Sequence, residues 1–182
     1  MLDALKQKCK KKGLSPHIWN DFIDTVTTDL RYSLIFIPDS SWCLFLTEED
    51  SIRSLQKIFS LLEPGGIFVF DLETVSAAPS KVGLWQGKVH RQDDGSFIIL
   101  NTLPLPLDND RATVICRYEL CYQGTIIKTE IEYFQIKLYK PGEMTALLEK
   151  VGFSSVKEIQ AYNRENPPGP QDYTIVCKLT LY

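Results

Sequence analysis

Four consecutive residues, Asp39-Ser40-Ser41-Trp42, set a carboxylate, two hydroxyls and an aromatic plane directly after an apolar run, Tyr32 to Pro38. A run of β-formers that ends at a proline reads as a strand buried on both faces. Open α/β sheets bind ligands in the loops beyond the carboxyl ends of such strands. The four are therefore the best rim candidates; the plain alternative is a polar connection anchored by its tryptophan. A second pair, Asp21-Phe22, follows a short extended stretch, His17 to Asn20, and a turn-forming Asx residue has the same appearance. Other chemistry is thin. His17 and His90 are too few for a metal cluster, and neither has a cysteine or carboxylate at ligand spacing. His90 reads as a surface strand residue before it reads as a base. The five cysteines, Cys9, Cys43, Cys116, Cys121 and Cys177, are odd in number and lack C-x-x-C spacing, which points to reduced thiols and a cytoplasmic location.

The rim candidates need a frame, and Tyr32 to Glu73 supplies one βαβ unit. Thr47 opens its helix with Asp50 as capping partner, while Glu48 and Glu49 meet the positive end of the helix dipole. Ile52, Leu55, Ile58, Phe59 and Leu62 recur at helical spacing and form a stripe that must lie on a sheet. Pro64-Gly65-Gly66 stops the helix, and Ile67 to Phe70 runs back through the core to Asp71 and Glu73. The two strands should be parallel, joined by a right-handed crossover.

Upstream, residues 1–12 have helical periodicity, with Leu2, Leu5 and Cys9 on one face, Gly13 as stop and no capping residue in front. Downstream the pattern becomes all-β. Trp85 to Arg91 and Ser96 to Leu103 flank Asp93-Asp94-Gly95 as a hairpin. Ala112 to Tyr122 and Thr125 to Leu138 are two long strands joined at Gln123-Gly124, with a bulge expected near Tyr133 and Phe134, where the apolar parity changes. A helix on Met144, Leu147, Leu148 and Val151, stopped by Gly152, precedes a closing hairpin of Val156 to Tyr162 and Tyr173 to Leu181.

The segments "YSLIFIPDSSWCLF" and "LLEPGGIFVFDLE", with a helix between them, resemble the fourth strand, following helix and fifth strand of class I S-adenosylmethionine-dependent methyltransferases. The likeness is greatest to the small-molecule enzymes that carry an added antiparallel β-platform. "MLDALKQKCKKKGLSPHIWNDFID" is similar to the segment after the second strand, and "LYKPGEMTALLEKVGFSSV" to the last helix and sixth strand. The resemblance implies one α/β domain over residues 1–182. Its Rossmann-like sheet is truncated at the N-terminus and carries an antiparallel β insert at 84–139. It also implies S-adenosylmethionine as cofactor, with Asp21 accepting a hydrogen bond from the adenine amino group beside Phe22. Asp39, Ser40 and Ser41 would line the cofactor side of the rim, Trp42 would meet the substrate, and the partner would be a small-molecule methyl acceptor.

The chain departs from that pattern in one respect. The family's glycine-rich turn after strand one is missing, since no G-x-G occurs in these 182 residues. Two lost contacts at about 1.5–3 kcal/mol each would turn a micromolar donor site into roughly a millimolar one. A non-catalytic interaction module is therefore the alternative to a methyltransferase. The strand at Tyr32 would be left with an unpaired edge, so association is expected, as a homo-oligomer or with a chain supplying the missing strands. Net charge of −3 and a pI near 5.4 argue against a nucleic-acid surface, the lysines from Lys6 to Lys12 reading as a solvated helix end. No apolar run approaches the roughly eighteen residues of a membrane span.

Overall fold

In the computed structural model, which describes residues 2–161 and 163–181, helix α1 (Leu2–Lys11) comes first. It stops at Gly13, whose φ of 65° is left-handed backbone that glycine adopts without strain. None of its side chains is buried. The helical reading holds from Leu2; Met1 lies outside the described residues.

His17 to Asn20 is not a strand, contrary to expectation. Extended residues gain ladder hydrogen bonds only where a partner lies in register, and here a local turn leads the chain away. Asp21 Oδ1 accepts from the Phe22 N–H at 2.8 Å and from the Thr25 hydroxyl at 2.7 Å, and the Val26 N–H reaches the Phe22 carbonyl at 2.9 Å.

The βαβ unit forms with β1 (Tyr32–Ile37), α2 (Glu48–Leu61) and β2 (Leu62–Glu73); the helix ends one residue before the expected Leu62, which is already extended, and Pro64-Gly65-Gly66 belongs to the irregular start of β2. Thr47 caps α2 by accepting the Asp50 N–H at 3.1 Å. The buried face of α2 is Ser51, Ser54, Leu55, Ile58 and Leu61. β1 and β2 pair in parallel from Leu34 opposite Ile67 to Ile37 opposite Phe70, after a register shift that accommodates Pro64-Gly65-Gly66. Gly66 is obligatory there, because a Cβ would lie 2.8 Å from the Glu63 carbonyl oxygen and 2.9 Å from that of Tyr32.

The insert is an antiparallel meander of β3 (Gln86–Arg91), β4 (Phe97–Pro104), β5 (Arg111–Tyr122) and β6 (Thr125–Lys137). Gln123 and Gly124 have φ of 48° and 79°, the signature of a primed hairpin turn. The bulge expected at Tyr133 and Phe134 lies next to this turn instead. The register shifts between Leu120 and Cys121, so that Lys128 and Ile126 oppose them and Ile127 is the extra residue. The parity change in β6 has another origin: nearly the whole strand is exposed, and burial fixes no phase on it.

Helix α3 (Glu143–Val151) ends at Gly152, and Phe153 folds back to donate its N–H to the Leu148 carbonyl at 3.1 Å. β7 (Ser155–Gln160) and β8 (Thr174–Thr180) close the main sheet, whose order is β1-β2-β8-β7, with β2, β8 and β7 antiparallel to one another in turn. The expected extension of β7 to Tyr162 ends on a residue outside the described set. The core lies on one face of this sheet. Phe68, Phe70, Leu72, Ile175, Cys177 and Leu179 point into it and meet Leu55 and Ile58 of α2, Met144 and Leu148 of α3, Trp42, Tyr139 and Phe153. The opposite face presents Leu34, Phe36, Ile67, Val69 and Val176, none of them buried, and among the described residues β1 has no partner along its outer edge.

Candidate functional site

At the carboxyl end of β1 the chain turns sharply. Asp39 and Ser40 both adopt left-handed backbone, with φ of 61° and 51°, which non-glycine residues keep only where neighbours hold them. The holding contacts come from Asp71 near the end of β2, whose Oδ2 accepts from the Ser40 N–H at 2.9 Å and from the Ser40 hydroxyl at 3.3 Å. Ser41 donates its hydroxyl to the Pro38 carbonyl at 2.8 Å and starts a 3-10 turn, Ser41–Leu44.

That turn drives Trp42 and Cys43 into the core. Trp42 is fully buried, 4.8 Å from both the Phe45 and Phe70 rings. Cys43 Sγ accepts the Glu73 N–H at 3.1 Å, and burial pushes its thiol pKa up to about 12. Trp42 is thus the anchor of a polar loop, and its ring is not presented to a ligand at the rim. The substrate contact expected of it is replaced by that structural role, because the turn after Ser41 aims its side chain at Phe70.

Asp39 and Ser41 are exposed and Ser40 is half-buried. Asp39 lines a hollow of about 370 Å³ with Phe36, Val69, Asp71, Thr174 and Val176. Its rim is acidic. Glu73, half-buried, has its carboxyl pKa raised by burial and then by the negative charges of Asp39 and Asp71.

Asp21 and Phe22 line a second hollow of about 370 Å³, with Trp19, Ile23, Tyr32, Leu34 and Phe36. The segment is tied down by Ile23, which packs against the core, and by Asp24, 3.4 Å from Arg53 on α2. Hydrogen bonds from Thr25 and from the Phe22 N–H hold the Asp21 carboxyl below the usual range, so it is ionised at neutral pH. Both bonds fall on Oδ1, and among the described residues Oδ2 has no partner. The Asx-turn reading of Asp21 is therefore realised without using up the carboxylate. The Phe22 ring is 79% exposed.

The two hollows share Phe36. Asp21 and Phe22 line one of them and Asp39 the other, on either side of that residue. Reading the sequence alone missed Trp19, Phe36 and Asp71 as lining residues. Asp71 was legible in principle, since it shares parity with Ile67 and Val69 and follows directly on the last residue of β2 that pairs with β1. Among the described residues no three His, Cys, Asp or Glu side chains are arranged to hold a metal ion, and no helix is long and apolar enough to cross a membrane.

Neither a protein-family profile nor a curated protein matches the sequence. Solved structures do match the fold. An S-adenosylmethionine-dependent methyltransferase from Clostridium acetobutylicum superposes with a TM-score of 0.77 at 17% identity, over 99% of this chain and 70% of that one. The CcbJ methyltransferase from Streptomyces caelestis gives 0.71 at 18% identity, over 100% and 75%. The sugar N-methyltransferase KedS8 from a Streptoalloteichus species gives 0.73 at 11% identity, over 98% and 68%. At such identities the likeness establishes architecture: the chain has the Rossmann-like fold of class I S-adenosylmethionine-dependent methyltransferases, over about 70% of the length of the first of these proteins.

Proposed function

We propose that the protein serves S-adenosylmethionine-dependent methyl transfer to a small molecule in the cytoplasm. The observation that carries this reading is the junction of the two hollows at Phe36, beyond the carboxyl end of a parallel strand pair and beneath an acidic rim. The residues fit part of the cofactor. An adenine ring needs apolar walls and an acceptor for its amino group, which Trp19, Phe22 and Asp21 Oδ2 supply. Asp39 borders the hollow where the reacting ends would meet, and Asp71 fixes the Ser40 turn that follows it. Bound S-adenosylmethionine supplies a methyl group already activated by a positive sulfur, so the chain's part is to align, to exclude water and to favour positive charge. Asp39, Asp71 and Glu73 do the last of these, which also suits an amine acceptor.

The test is a calorimetric titration with S-adenosylhomocysteine. Saturable binding of roughly millimolar strength is expected, since the described donor contacts are few. Asp21→Ala, a change at an exposed position, should abolish it, and Phe22→Ala should weaken it. Binding indifferent to both substitutions, or no binding at millimolar ligand, would overturn the reading. The second reading, a non-catalytic interaction module, is favoured by the uncovered sheet face, and it predicts no titration even when a binding partner is present.

A further inference from the structure

The four strands of the platform come from one uninterrupted segment, and their register sorts the side chains onto two faces. One face carries Gly87, Asn101, Arg117 and Ile131, each the direct cross-strand neighbour of the next. The guanidinium of Arg117 lies over the Trp85 ring, with Cζ 5.3 Å from the ring centroid. Its Nε is out of solvent without a hydrogen bond, because the Glu119 carboxylate beside it stands 3.6 Å away, too far for one. Glu119 thus offsets the charge of Arg117 and leaves its donors unsatisfied. Among the described residues no other carboxylate pairs with Arg117, whose side chain is 42% exposed, and its two terminal nitrogens form an open fork. Asn101 sets an amide next to that fork. A Cβ at Gly87 would lie 3.1 Å from the Asn101 Oδ1, so the glycine is what lets this amide extend over β3. The paired residues of the same face carry Arg91, Arg111 and Lys137 as well, against Glu119 as their one acid, a balance that favours an anion.

We propose that Arg117, Asn101 and Trp85 form a binding site for a small organic monocarboxylate with a flat apolar body. The fork gives the carboxylate two parallel N–H donors, the geometry that guanidinium offers and ammonium does not. The Asn101 amide adds a third donor. Stacking on Trp85 holds the guanidinium in one orientation, so less freedom is lost when the ligand arrives. Ile131, 62% exposed, and the uncovered part of the Trp85 ring take the apolar body. A dianionic phosphate fits less well, since Glu119 lies against the same guanidinium and repels a second negative charge. None of these residues lines the two hollows around Phe36, and the site does not depend on whether the cofactor binds.

The probe is 3-phenylpropionate, titrated into the nitrogen-15-labelled chain while the Trp85 indole N–H and the Arg117 Nε–H are followed by NMR. Both signals should move saturably. The neutral 3-phenylpropionamide should bind about tenfold more weakly, as the loss of charge-assisted hydrogen bonds implies, and phenyl phosphate should also bind less tightly than the carboxylate. Arg117→Lys keeps the charge and removes the fork, so it should weaken the carboxylate about tenfold with the circular dichroism spectrum unchanged. Glu119→Gln removes the competing negative charge and should tighten binding about threefold. That last result separates a ligand site from a purely structural Arg117–Glu119 pair, which the probe would ignore in wild type and variant alike. Should Arg117→Lys disturb the platform, the amide comparison and Glu119→Gln decide the matter by themselves. Signals that do not move, equal binding of acid and amide, tighter binding of phenyl phosphate, or Glu119→Gln without effect would each refute the proposal.

Discussion

Trp42 and Asp39 are three residues apart on one loop and do opposite things. The indole is buried among Phe45, Phe68 and Phe70, so Trp42→Ala should cost about 3–5 kcal/mol in a urea melt. Asp39 is exposed at the rim, and Asp39→Ala should stay within about 0.5 kcal/mol. Equal losses would mean that the loop is not anchored as described. Glu73 gives a pH signature. Burial, then Asp39 and Asp71, raise its pKa in the folded protein, so the folded state holds that proton more tightly than the unfolded chain does. Stability from this group is present below the unfolded value and is lost as pH rises through the folded one. Glu73→Gln, neutral throughout, should raise Tm at pH 7 relative to wild type and leave it nearly unchanged near pH 4. A Tm lowered at pH 7 would show that the carboxylate is stabilised by contacts outside this account.

At the scale of elements, Glu158 on β7 does for α3 what no residue adjacent in sequence does. Its carboxylate accepts the Gly142 N–H at 2.8 Å and the Thr145 N–H at 3.2 Å, capping a helix whose own N-cap is a glycine. Glu158→Ala should therefore destabilise by about 1–2 kcal/mol in chemical denaturation, while Glu165→Ala on the neighbouring loop should not. Such a cap is invisible in sequence because donor and acceptor come from different elements. Thr47 and Asp50 were legible because both lie within one turn. The same distinction runs through the fold. α2 and α3 follow from helical spacing, and β2 and β8 from period-two burial, because one face of each meets the core. β6 was legible as a strand and not in its phase, since exposure leaves its side chains unselected. His17 to Asn20 has strand composition and no partner, and composition alone does not make a ladder. Of the candidate site, Asp39 was proposed from its place beyond a strand, while Asp21 and Phe22 came only from the family resemblance. Phe36 as the link between the two hollows was not foreseen, for a strand so apolar reads as buried on both sides.

Over the whole molecule, the platform joins the main sheet through a narrow neck. The Tyr139 N–H reaches the Glu73 carbonyl at 2.9 Å and the Val75 N–H reaches the Tyr139 carbonyl at 3.1 Å. Around it, Lys137 pairs with Glu143 at 2.7 Å and Lys150 with Glu48 at 2.7 Å. The Lys150–Glu48 pair is exposed and contributes about 0–1 kcal/mol, whereas the Lys137 side chain is mostly buried and holds the neck together with Leu138 and Tyr139, both buried. The two sheets also end differently at their outer strands. β6 carries Lys128, Glu130 and Glu132 along its length, whereas β1 carries no charge between Tyr32 and Ile37. Charges on an outer strand keep neighbouring molecules from adding on. A thioflavin T time course should therefore show a shorter lag for wild type than for Phe36→Lys, and no change of lag for Ile131→Lys. Loss of dissolved protein on storage should then rise steeply with concentration for wild type and only weakly for Phe36→Lys, a matter of how many molecules share the tube.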